Sequence, residues 1–122
     1  MSLKTVFILF AIVSGFFAIV TLLIPAIMLS WYGVESNEVT AFMTRFFGTG
    51  LLVIALISFY LKDAKLTKEV KSVVLALIIS DAVAFIVALW AQITNIFNTL
   101  GWLTVIIYLF FTIALYSVYN KK

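Results

Sequence analysis

The chain has 122 residues, of which 66% are hydrophobic and 11% charged, and its net charge is +3. A soluble domain is roughly half apolar and about a quarter charged, and a fold this small exposes too much surface to hide the excess, so lipid is the expected solvent for most of the chain. Without cysteine or histidine, one chain lacks disulfides, the usual metal, haem and iron–sulfur ligands, and Ser-His or Cys-His nucleophile pairs, so no metal and no cofactor is expected.

Four apolar segments follow in chain order, at about residues 5–30, 40–61, 70–93 and 100–119. Each is near or above the ~20 residues that cross a ~30 Å hydrocarbon core as a helix. Helices suit lipid because they satisfy their own backbone groups. Lys4 and the first run resemble the start of a signal peptide. The run outlasts the ~7–15 residues of such an apolar region, with no small-x-small cleavage site, and reads as a retained helix. Pro25, late in that helix, is placed to kink it. Ser36 or Asn37 can cap the second helix, with Glu38 in its first turn where the helix dipole favours an acid. Thr67 can cap the third, ahead of Glu69, and Asn98 or Thr99 the fourth, which Lys121 and Lys122 end. The expected fold is all-α: a single-domain four-helix transmembrane bundle, up-down-up-down.

Charge gives the threading. Lys4, the group Lys62, Lys65, Lys68 and Lys71, and the pair Lys121 and Lys122 share one side, while the first connection offers only Glu35 and Glu38. The positive-inside rule then places both termini in the cytoplasm. It favours orientation over nucleic acid as the reason for the basic residues. Trp31, Trp90 and Trp102 fall at the expected outer ends and Tyr60, Tyr116 and Tyr119 near the inner ends, the headgroup levels these rings prefer. A multi-pass protein of a cell membrane is expected, in a prokaryote the plasma membrane.

Two charges fall within the spans, Arg45 and Asp81. Each costs about 2.5–3.5 kcal/mol at a helix centre on insertion scales. Asp81 lies nine residues before Trp90, about 13 Å deep at 1.5 Å per residue, and Arg45 lies about 7 Å deep. If the second and third helices are antiparallel neighbours, Arg45 can face inward and pair with Asp81. Gly48, one turn deeper, would let a neighbouring backbone approach, and Thr49 could donate a hydrogen bond. On the third helix Asp81, Ala84, Ala88, Gln92 and Asn95 form a stripe of small and polar residues; on the fourth, Thr104, Tyr108 and Thr112 would face it. Gly15, in Ala11-xxx-Gly15, and Ser14-xxx-Ala18 suggest close packing of the first helix. Arg45 can instead snorkel to headgroups. Asp81 is too short for that and must be paired, protonated or wetted. The pair can be structural, fixing register, or can belong to a site for a proton, ion or ligand headgroup.

The run Arg45-Phe46-Phe47-Gly48-Thr49-Gly50 resembles the entry to the second helix of small DoxX-like membrane proteins. Pro25 with Trp31-Tyr32-Gly33, Asp81, and Asn98-Thr99-Leu100-Gly101-Trp102 are similar to an uncharacterised group of them. The resemblance implies the four-helix fold and, for some relatives, a small subunit of a quinone-dependent oxidation complex. It transfers no catalytic motif. The leading expectation is therefore a protein without catalytic chemistry of its own, an accessory subunit of a larger membrane complex or a homo-oligomer. The alternative is a binder or transporter of a lipid, quinone or proton through Asp81, Arg45, Tyr108 and Thr112. An intramembrane enzyme ranks last, since a lone carboxylate lacks the second titrating group of acid–base catalysis.

Overall fold

The computed structural model describes residues 1–121; Lys122 lies outside the described residues. They form α1 (Leu3–Leu23), α2 (Pro25–Trp31), α3 (Glu38–Leu61), α4 (Lys68–Ile93) and α5 (Gly101–Tyr119). The fold is an all-helical bundle in which α1, α3, α4 and α5 are each long and apolar enough to cross a membrane. Their outward faces carry large apolar side chains, among them Ile12, Ile19, Val53, Ile86 and Ile113. Water would not tolerate so continuous an apolar surface, and acyl chains do.

The first apolar segment is two helices where one kinked helix was expected. Proline has no N–H, and its ring clashes with the carbonyl one turn back. Ile24 accordingly leaves the helical region, at φ −136° and ψ 60°. Its own N–H still reaches the Val20 carbonyl at 2.9 Å, and its carbonyl accepts from Ile27 and Met28 at 3.1 and 3.2 Å. Ile24 thus closes α1 and opens α2, with Pro25 at the first helical position, where a missing N–H costs nothing.

Capping fixes the other starts. Asn37 accepts from the Thr40 N–H, and the Thr40 hydroxyl accepts from the Asn37 N–H, a reciprocal box at the head of α3. Thr67 accepts from Val70 at the head of α4. The fourth span begins differently from expectation: Leu100 is its N-cap and gives no side-chain bond. Asn98 serves the turn just before, accepting at Oδ1 from the Leu100 N–H, because its amide nitrogen is already bound to the Trp31 carbonyl.

The packing pairs α1 with α3 and α4 with α5, and the two pairs meet chiefly through α1 and α5. Although consecutive, α3 and α4 each pack on those partners and not extensively on one another. At the end holding the termini, Val6, Phe7 and Phe10 of α1 interlock with Val74 and Leu77 of α4 and with Phe111, Leu115 and Val118 of α5. Lys4 meets Asp63 of the α3–α4 turn at 3.2 Å there, and the Lys121 ammonium donates to the Met1 carbonyl. At the far end Asn98 is the tie: its N–H reaches the Tyr32 carbonyl at 3.0 Å and its side-chain amide the Trp31 carbonyl at 3.1 Å. Gly33 sits beside it at φ 71°, a backbone that favours glycine, and a Cβ there would lie a tight 3.1 Å from the Asn98 side-chain nitrogen.

Candidate functional site: an apolar cavity with one carboxyl

Between the two ends the helix pairs stand apart around a cavity of about 580 Å³. The sequence explains why it is not filled. Toward it α4 presents Asp81, Ala84, Ala88 and Ala91, one face at three- and four-residue steps with little side chain. Opposite, α3 presents Met43, Phe47, Leu51 and Ile54, and α1 presents Phe10, Ser14, Phe17 and Thr21. Thr104, Ile107, Tyr108 and Phe111 of α5 complete the wall. Met28, Leu29, Tyr32 and Phe97 come from α2 and the two far connections.

The hydroxyls on this wall are mostly occupied. Thr21 donates to the Phe17 carbonyl at 2.7 Å and Thr44 to the Thr40 carbonyl at 2.7 Å. Tyr32 and Thr104 share a hydrogen bond at 2.7 Å, which ties the α2–α3 connection to α5. Ser14 and Tyr108 make no side-chain hydrogen bond among the described residues, and the Asp81 carboxyl is the acid among these polar groups. It is 3% exposed, and its Oδ2 is buried with no hydrogen-bond partner. A carboxyl so placed in a low-dielectric interior costs free energy unless it is paired or neutralised.

Arg45 does not supply the partner. The ion pairs among the described residues are Lys4–Asp63 and Lys62–Asp63. The expected pairing fails because α3 packs on α1, not on α4, and because Arg45 projects from the outer face of α3 with Phe42, Phe46 and Thr49. Its Nε donates to the Leu22 carbonyl at 3.3 Å. In an unbroken helix that carbonyl would accept from residue 26; the break at Pro25 frees it. The guanidinium satisfies it, at a helix C-terminus where a cation is favoured.

The other expected residues divide clearly. Tyr108, Ala84 and Ala88 line the cavity with Asp81. Thr49 is exposed on the Arg45 face, bonded to the Phe46 carbonyl. Thr112 lies one turn beyond Tyr108, bonded to its carbonyl, away from the cavity. Gln92 is buried in the last turn of α4, where its amide nitrogen donates to the Asn98 carbonyl at 2.9 Å and its Oε1 has no partner among the described residues. Gly48 is pressed against α1, where a Cβ would collide with the Thr21 hydroxyl, and Gly15 lies beside Ala55. Sequence reasoning missed Tyr32 and the face Met43-Phe47-Leu51-Ile54. The helical spacing of that face was visible, but in an apolar span it does not separate an inward face from a lipid-facing one.

No metal-holding cluster of acidic residues occurs among the described residues. What the arrangement offers chemically is an apolar volume, several aromatic rings and one carboxyl oxygen free to accept. No curated protein and no solved structure matches the chain. The model of the family described as "Domain of unknown function (DUF8292)" matches residues 1–119, and the chain belongs to that family.

Proposed function

We propose that this protein is a non-enzymatic binding protein of the membrane interior, taking a lipid-soluble small molecule into the cavity with its polar end at Asp81. The observation that supports this most is the cavity itself. At about 580 Å³ it falls within the ~300–1,000 Å³ of small-molecule sites, which are mostly apolar with a few placed polar groups. A second feature supplies a route. Met43 and Phe47 of α3 and Val87 and Trp90 of α4 line the cavity yet remain about half or more exposed, Met43 at 60% and Val87 at 59%. They frame a side opening on the flank of the bundle, where α3 and α4 do not pack extensively. With the orientation expected from the lysines, the opening meets the outer leaflet of a prokaryotic plasma membrane. A DoxX-like kinship would favour a quinone among the possible ligands. The accessory-subunit or homo-oligomer reading gives the cavity no task.

The test is gentle purification followed by mass spectrometry of extracted lipophiles. Wild-type protein is expected to carry a defined small molecule that Ala88→Phe, which fills the cavity, loses while keeping its helix content. Equal extracts from both proteins would overturn the reading. A stoichiometric sister subunit together with an empty cavity would favour the accessory role instead.

A further inference from the structure

We propose that the molecule taken by this cavity carries a positively charged, hydrogen-bond-donating head, a lipophilic ammonium. This rests on the binding function just proposed and narrows its ligand, setting the neutral quinone aside. Among the described residues the cavity wall holds an acid and no base: no lysine or arginine lines it. Arg45, the chain's only arginine, is bonded to the Leu22 carbonyl on another face. A phosphate, sulfate or carboxylate head would find no counter-charge there and would meet Asp81 at close range.

The buried Asp81 Oδ2 has no donor from the protein. Of the hydroxyls on the wall, Thr21 is turned to Phe17 and Thr104 to Tyr32, and neither Ser14 nor Tyr108 donates to Asp81. An ammonium N–H aimed at that oxygen would supply both the missing hydrogen bond and the missing charge. The surrounding rings point the same way. Phe10 and Phe111 lie 4.4 Å apart by ring centroid, and both border the cavity beside Phe17 and Tyr108. Aromatic faces attract a desolvated cation and offer little to a neutral hydroxyl. The hydrocarbon part of the ligand would run toward the opening between Phe47 and Trp90.

The experiment uses three probes on one skeleton: 4-phenylbutylamine, 4-phenylbutanol and 4-phenylbutanoate. Purified full-length protein in nanodiscs carries Trp31→Phe and Trp102→Phe, so Trp90 at the opening reports binding by its fluorescence. The amine is expected to bind about tenfold or more tightly than the alcohol, the advantage of a charged over a neutral hydrogen bond, and the carboxylate least. Asp81→Asn should reduce the amine to about the level of the alcohol while weakening the alcohol far less. Unchanged helix content by circular dichroism shows that the variant is folded. Asp81→Glu should keep the preference for the amine. An alcohol that binds as well as the amine, or an amine indifferent to Asp81→Asn, overturns the ammonium assignment and leaves the binding function standing. If none of the probes binds wild type better than Ala88→Phe, the ammonium assignment falls; if extraction also finds no native lipophile, so does the binding function.

Discussion

The two halves of the bundle are built from the same four spans and finish differently. At the termini end, branched and aromatic side chains from α1, α4 and α5 interlock, and Phe7, Val74 and Leu115 are wholly buried. Toward the far end α4 presents alanines and one carboxyl, and the rings and branched chains of α1, α3 and α5 opposite leave the space between them open. The far end is closed by polar ties, Asn98 to the Trp31 and Tyr32 carbonyls and Tyr32 to Thr104. In lipid, packing contacts hold helices together without a hydrophobic drive. One half therefore serves as the anchor for both helix pairs and leaves the other free to stay hollow.

The largest effect that can break this contrast is a truncation in each half. Leu115→Ala removes buried methyl groups from the anchor and is expected to cost about 2–5 kcal/mol. Leu51→Ala, on the cavity wall, only widens an existing void and should cost less than half as much. Thermal unfolding in one detergent compares them, and equal losses would mean that the halves are not distinct. A smaller effect sharpens the role of the arginine. Arg45→Met strands the Leu22 carbonyl and is expected to cost about 1 kcal/mol, with Arg45→Gln, which keeps a donor, recovering part of it. A stabilised Arg45→Met protein would show that the bond to Leu22 contributes nothing. The smallest effect belongs to the exposed pair at the termini end. The hydrogen bond and charge of Lys4 hold the Asp63 carboxyl below its ordinary value of 3.8. That lowering stabilises the fold above the ordinary value and is lost as pH falls through the depressed one. Asp63→Asn should therefore melt marginally earlier at neutral pH, and the gap should close under acid, as measured by paired melting curves at several pH values.

The spans were legible because lipid demands long, nearly uncharged runs, and the caps at Asn37 and Thr67 were legible because they are local. Pro25 marked the place of the break but not its degree, since whether a helix bends or ends depends on what receives the freed carbonyl. The stripe Asp81-Ala84-Ala88 was legible as an inward face, and Tyr108 with it. The partner of Arg45 was not. Sequence spacing fixes depth along a helix but not which neighbour that helix chooses, and here α3 chose α1. Gln92 and Thr112 stand off the cavity for a related reason: a polar residue in a span can bond locally, Thr112 within its own helix and the Gln92 amide to Asn98 in the turn that follows.

The bond between Arg45 and Leu22 bears on how the chain enters the bilayer. A bare carbonyl at a broken helix end and a lone guanidinium are each unwelcome in hydrocarbon, and the bond between them satisfies the carbonyl and one N–H. The first two spans therefore gain by settling in the bilayer as a couple.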